Sequence, residues 1–264
     1  MAEPHSPIET AETKMPILFW CMASLMALLL VLFLSGCLLQ RLFKIKDQFC
    51  DFEDNFVIEV NEGVRFSFRE PVLLDKDVIW LARAEPSDRK VVGNQLFMRY
   101  IVEKQGASSS ARYDIPIDLR FLQINGSYRL KEVYVSKNLT NILTPELITQ
   151  TLQSVCRAEK SLVGRSVTVD LKDLDRSRLL SRSKVIDTLG EPNRVLDGQD
   201  GISYDYKLRT GGKRENRTRI DAYFNESGNK ILRVKVSTLR YHLDADFVIG
   251  QAILKVKGGI KSDI

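Results

Sequence analysis

The stretch Met15 to Cys37, MPILFWCMASLMALLLVLFLSGC, constrains this chain more than any other, because it decides the compartment in which the rest must fold. No charged residue stands between Lys14 and Arg41. As a helix rising about 1.5 Å per residue, the run is long enough to cross a hydrocarbon core of about 30 Å. It also exceeds the apolar core of an ordinary secretory signal, roughly 7 to 15 residues. Arg41, Lys44 and Lys46 follow it while only Lys14 and the amino terminus precede it. That charge distribution favours an uncleaved inner-membrane anchor with the remaining chain in the cytoplasm. Translation from Met15 instead of Met1 removes the acidic leader and gives the apolar run the position of a signal of ordinary length.

The run closes on Leu34-Ser35-Gly36-Cys37, which resembles the lipobox of bacterial lipoproteins. Small side chains at Ser35 and Gly36 let a peptidase reach the backbone, and only a cysteine offers a thiolate for thioether formation. The resemblance implies residues 1–36 as a signal peptide, cleavage before Cys37 and acylation of that cysteine, palmitate included. Leu38, rather than Asp, then implies the periplasmic face of the outer membrane. Cleaved lipoprotein and uncleaved anchor both stand as readings.

Cysteine usage bears on the same question. Cys21 lies in the leader and Cys37 is the lipidation candidate, which leaves Cys50 and Cys156. An even remainder in an exported chain is a candidate disulfide, closing a loop of about 106 residues. Two buried free thiols are the alternative. The formal net charge is +5, and loss of a leader holding one Lys and three Glu raises it. A moderately basic chain suits anionic lipid headgroups or acidic partners. The charge is too diffuse for nucleic acid, and no basic-aromatic motif accompanies it, so no nucleic-acid partner is expected.

Residues 37–50 read as a tether, either lying on a membrane surface or forming the first turns of a docking helix. Over residues 51–160 the pattern has mainly period two, as in antiparallel strands with one wet face. Phe56–Val60 and Val64–Phe68 flank Asn61-Glu62-Gly63, where Gly63 is available for a positive φ. Ile117–Ile124 and Tyr128–Val135 flank Asn125-Gly126, a strong hairpin signal. Leu96–Val102 is a further strand. Thr144 and Pro145 predict the start of a covering helix, with Ile148, Leu152 and Val155 at helical spacing. The segment between Pro71 and Glu85 reads equally as a short helix or an irregular strand.

From about Asp170 the texture changes. In Leu179 to Pro192, LLSRSKVIDTLGEP, Ser181 caps a helix, and Val185, Ile186 and Leu189 give it an apolar face. Gly190 ends it and Pro192 forbids continuation. An aromatic strand (Ile202–Tyr206), a loop, Ile220–Asn225, a turn and Ile231–Val236 follow. This part, roughly residues 170–238, resembles the SmpA/OmlA (BamE) outer-membrane lipoproteins, although Leu179 stands where that family usually has Gly. The resemblance implies a two-helix, three-strand module and a place in envelope assembly. The fold class expected for the whole chain is therefore α+β: a β-rich domain with its covering helix, then an ααβββ domain over 170–257.

Between two strands of that module, Lys207, Arg209, Lys213, Arg214, Arg217 and Arg219 are opposed only by Glu215. They are candidates for contact with anionic headgroups or an acidic partner; a solvated loop softened by Gly211-Gly212 is the plainer reading. Phe247 to Val256 reads as an added strand or a docking segment. Of the two histidines, His5 and His242, neither stands in a metal-ligand or nucleophile-base pattern, and no phosphate loop or nucleophile elbow occurs. Asp170, Asp173 and Asp175 read as helix-entry surface rather than a metal site. No cofactor, metal or catalytic residue is expected; a membrane-tethered enzyme with converging carboxylates is the competing class. Asn125, Asn138, Asn216 and Asn225 each begin a glycosylation triplet, the basis of a eukaryotic secretory alternative. The expectation is a non-enzymatic outer-membrane lipoprotein acting as scaffold or accessory through envelope proteins and lipid.

Overall fold

Apolar and polar residues alternate through much of the chain from Phe56 to Val256, and that alternation builds one sheet. The structure, a computed structural model, describes residues 40–106, 110–136, 144–161, 166–175, 177, 179–196, 200–210 and 216–256. Residues from Leu42 onward belong to one compact unit. The strands are β1 (Phe56–Val60), β2 (Gly63–Phe68), β3 (Asp88–Val92), β4 (Gln95–Lys104), β5 (Ile115–Ile124), β6 (Ser127–Ser136) and β7 (Glu159–Ser161). They continue with β8 (Ser166–Asp170), β9 (Arg194–Leu196), β10 (Gly201–Arg209), β11 (Asn216–Phe224), β12 (Ile231–Ser237), β13 (Tyr241–Asp246) and β14 (Gln251–Val256). Their order is β1-β2-β6-β5-β4-β10-β11-β12-β13-β14-β8-β7, with β3 beside β4 and β9 beside β10. The helices are α1, which ends at residue 48, α2 (Phe52–Asn55), α3 (Asp75–Ala82), α4 (Pro145–Cys156) and α5 (Arg182–Leu189).

This mostly antiparallel β architecture corrects the expected α+β class and its ααβββ module. The β10–β12 meander is present, but it is the middle of a longer sheet: β10 pairs with β4, and β12 leads on to β13 and β14. Among the described residues of 170–257 there is one α-helix, α5. Leu171 and Leu174 have helical spacing, yet a turn buries them. There the Asp170 carboxylate accepts from Lys172 N at 3.0 Å, and Leu171 N donates to Gly250 O at 2.8 Å. A side chain that bonds its own backbone offers the chain an alternative to the helical ladder. Asp173 and Asp175 sit in the same region, against Arg157 and Ser177.

The two faces differ sharply. Register places Val102 opposite Leu208 and Lys104 opposite Tyr206, so Leu96, Met98, Tyr100, Val102 and Lys104 share a face with Ile202, Tyr204, Tyr206 and Leu208. That face carries the helices and three core clusters. One gathers Phe56, Leu96 and Phe121, the second Val185, Leu189, Tyr204 and Phe224, and the third Leu171, Leu174, Ala245 and Ala252. The opposite face carries cross-strand ion pairs: Arg65–Glu59, Arg99–Asp118, Arg120–Glu132, Arg209–Glu103, Arg219–Asp205 and Arg233–Asp244. Exposed pairs of this kind contribute about 0 to 1 kcal/mol each. Their consequence is register, because a one-residue slip would carry the arginines into the core.

Local signals are mostly met. Asn125 and Gly126 both adopt positive φ between β5 and β6. Thr144 Oγ1 accepts from Leu147 N at 3.3 Å and Pro145 opens α4. The segment left open between Pro71 and Glu85 contains α3, with Leu74 N bonded to Asp77 Oδ2 at 2.9 Å. Gly63 differs from expectation. It lies in β2 without a positive φ, and its glycine serves close approach instead: a Cβ there would stand 2.5 Å from Val135 O. Of the two readings of residues 38–50, the docked helix describes the part after residue 41, where Ile45 and Gln48 are buried and Phe49 stacks on Phe56 at 5.1 Å. Among the described residues no helix is long and apolar enough to cross a membrane, and the Met15–Cys37 run, with the lipidation candidate Cys37, lies outside them.

Candidate functional site

The cysteine pair is formed. Cys50, in the turn after α1, is disulfide-bonded to Cys156 at the end of α4, with a Cα–Cα distance of 4.9 Å. Beside it Phe49, Phe52, Phe56, Phe66 and Phe68 pack with ring centroids 4.8 to 6.1 Å apart. The bridge thus holds the first helices against the edge of the sheet where β1 begins.

The basic segment is less of a loop than its composition suggests. Lys207 and Arg209 lie in β10, Arg217 and Arg219 in β11, and Lys213 and Arg214 fall outside the described residues. All four described side chains have odd numbers and share the outer face, with Lys207 opposite Arg217 and Asp205 opposite Arg219. Carboxylates temper them. Arg219 Nε donates to Asp205 at 3.2 Å, Arg194 donates to the same carboxylate at 2.6 Å, and Arg209 pairs with Glu103. Lys207 and Arg217 are likewise engaged. A polar cleft of about 650 Å³ opens here, bordered by Asp205, Arg217, Arg219, Asp221 and Ser237. Its two arginines face two aspartates, so it offers a mixed surface rather than a purely anion-attracting one.

Two features of the site region are not legible in any motif. Ser237 Oγ and His242 Nδ1 are hydrogen-bonded at 2.9 Å across β12 and β13. Their close hairpin spacing, five positions apart, was the available signal, and the pair reads as a cross-strand contact because no carboxylate hydrogen-bonds the ring among the described residues. Among the described residues no group of three or more His, Cys, Asp or Glu is placed to hold a metal. Asn216, a candidate glycan acceptor, is occupied, since its Nδ2 donates to Ala82 O at 3.1 Å and Arg83 O at 3.3 Å.

The second feature is Lys104, which ends the inward row of β4 and is buried. Its ammonium donates to Leu189 O at 2.7 Å and to Glu191 O, closing the C-terminal end of α5. It lies 4.9 Å from the Tyr113 ring and 5.2 Å from the Tyr204 ring. A cation at a helix C-terminus is favoured by the macrodipole and by faces of aromatic rings. Burial nevertheless lowers its pKa from the ordinary lysine value. The inward position of a lysine in an otherwise alternating strand, QLFMRYIVEK, was the sequence signal for it.

Three buried tyrosines set the alkaline limit. Burial, with Glu85 nearby, pushes the Tyr100 phenol up to about 12, and burial pushes Tyr204 and Tyr206 further up. Their folded values exceed the unfolded one, so their contribution is complete below about pH 10 and is lost as pH climbs through the folded values. Lys104, with a lowered value, works in the opposite sense, and three groups outweigh one. Unfolding above about pH 10 is therefore expected to coincide with tyrosinate absorbance; ionisation well before loss of circular dichroism would contradict it. The Tyr206 hydroxyl is buried without a partner among the described residues, whereas Tyr204 Oη donates to Gly190 O at 3.1 Å. Tyr206→Phe is thus expected to be neutral or stabilising, and Tyr204→Phe to cost about 1 kcal/mol, in urea unfolding at pH 7.

Comparison of the chain with protein-family models, with curated proteins and with solved structures finds no match.

Proposed function

We propose that this chain is a bacterial lipoprotein anchored through Cys37 to the periplasmic face of the outer membrane, where it serves as a non-catalytic scaffold or accessory in envelope assembly. The observation that carries the reading is the Cys50–Cys156 bridge downstream of an apolar run ending on Leu-Ser-Gly-Cys. A structural disulfide persists in an oxidising compartment. A chain retained in the cytoplasm by the charges after residue 40 would not keep it, so the bridge favours export over the cytoplasmic anchor. The likeness of the α5 helix end and the β10–β12 meander to SmpA/OmlA lipoproteins, short of their two-helix module, supports the address. The long ion-paired face of the sheet supplies an extended polar surface for protein contacts.

The test is the intact mass of the membrane-extracted protein beside Cys37→Ala. A chain beginning at Cys37 and carrying acyl groups, absent in the variant, is the expected result. A full-length unacylated mass would assign the run to an uncleaved anchor. Partner recovery from detergent-solubilised envelope then separates scaffold from enzyme, since a scaffold brings down stoichiometric neighbours. The basic strands have their own test. Lys207→Gln with Arg217→Gln is expected to weaken binding to phosphatidylglycerol vesicles, by about fivefold per residue at low salt, each basic group near an anionic surface contributing about 1 kcal/mol. Unchanged vesicle and partner binding would remove these residues from the contact surface.

A further inference from the structure

The helical layer leaves a gap over the apolar face of the sheet. Between the end of α3 and the β12–β13 hairpin lies a cleft of about 490 Å³, a size typical of small-molecule sites. Its floor is Val102, Leu208 and Thr218, on three successive strands; Leu81 and Ala82 line it from α3, and Leu239 and Tyr241 from the hairpin. Arg83 and Arg240 also line it, and no lining residue among the described residues carries a carboxylate. On the other face of the sheet each ion-paired arginine has an Asp or Glu across the strands. Neither Arg83 nor Arg240 makes an ion pair among the described residues.

Arg83 is also held in place. It caps α3 at φ 54, a left-handed conformation unfavourable for any residue with a Cβ. The two hydrogen bonds from Asn216 Nδ2 fix that turn. Its guanidinium lies 4.4 Å from the Trp80 ring, and its Nε is buried without a hydrogen-bond partner among the described residues. An apolar floor with two uncompensated arginines complements a ligand that is apolar along its length and anionic at one end. The floor strands are paired on both sides, so an extended peptide would find no free edge for a backbone ladder.

We infer that this cleft binds a single-chain carboxylate amphiphile of the fatty-acid type, its chain on Val102, Leu208 and Leu239 and its carboxylate on Arg83 and Arg240. The site lies on the opposite face of β10 and β11 from the basic side chains and does not depend on the lipid anchor.

A decanoic acid bearing a photoreactive diazirine on its chain, added to membranes containing the full-length protein, tests this. Labelled peptides are expected around Leu208 and Leu239, to be displaced by unlabelled decanoate, and to fall about tenfold or more with the corresponding alcohol probe. Arg240→Gln, at a hairpin residue, and Arg83→Gly, which suits the left-handed turn, are each expected to reduce labelling by a similar factor while protease resistance is kept. If either variant loses that resistance, the other and the alcohol probe still decide. Equal labelling by acid and alcohol, labelling spread over the ion-paired face, or labelling unchanged in the folded variants would overturn the inference. So would chain-to-chain cross-links through Leu239 in place of acid labelling, which would assign the cleft to a second copy.

Discussion

Replacing Cys50 and Cys156 with alanine lowers the unfolding free energy by about 4 to 5 kcal/mol in the chain-entropy model. The bridge joins residues 106 apart in sequence, and a loop of that length restricts the unfolded ensemble by roughly that amount. A domain of ordinary stability, about 5 to 15 kcal/mol, would lose a large share of it. Two native contacts are affected as well. The bridge pins the turn after α1 to the end of α4, and Phe49 and Phe52, on either side of Cys50, complete the aromatic cluster on β1 and β2. The urea midpoint should fall and the dependence on urea should steepen, because the unfolded chain expands when its longest covalent loop is opened. A loss below about 1 kcal/mol, or identical curves for wild type with and without reductant, would show that the bridge does not constrain the chain.

Gly190→Ala is expected to cost about 3 to 5 kcal/mol, the second largest single effect. Gly190 sits at φ 74 and ψ −175 at the end of α5, a region of backbone space essentially reserved for glycine and costing about 1 to 3 kcal/mol otherwise. Crowding adds to strain. A Cβ there would stand 2.7 Å from the Tyr113 ring and 2.8 Å from Lys104 Nζ, and overpacking of that degree typically costs a further 1 to 3 kcal/mol or so. The glycine therefore does more than stop a helix; it leaves room for the lysine that closes the helix end. Lys104→Met alone is expected to leave Leu189 O and Glu191 O unsatisfied, and the double variant to lose less than the sum of the two. Additive losses in urea unfolding would separate glycine from lysine and reduce the effect to backbone strain.

Much of the local structure was legible because its causes are local. Thr144 with Pro145 starts α4 as read, Ser181 accepts from Lys184 N to start α5, and Asn125-Gly126 turns β5 into β6. The final apolar segment was open between an added strand and a docking segment, and its Gln251–Val256 part is the strand β14, inserted between β13 and β8. The failures were longer in range. The resemblance implied two helices after residue 170, but Leu171 and Leu174 are buried in a turn bonded to Gly250, some 80 residues away. The basic residues looked like a loop because Gly211-Gly212 punctuate them, yet cross-strand carboxylates at Asp205 and Glu103 extended the ladder to Arg209 and resumed it at Asn216.

The sequence by itself determined where most strands and helices begin, which residues alternate toward a core, and that an apolar run ending in cysteine precedes everything else. Those properties follow from propensity, capping and periodicity, which act over a few residues. Only the tertiary structure decided that β4 meets β10, that Cys50 meets Cys156, that Lys104 closes α5, and that Arg83 and Arg240 share a cleft with no carboxylate among its described residues. Each of these joins residues separated by 85 or more positions, Arg83 and Arg240 being the furthest apart. Strand alternation specifies which side of a sheet a residue occupies but not which strand lies beside it, since every antiparallel edge offers the same backbone ladder. Pairing is chosen by the packing of the whole apolar face, and that choice has no local signature.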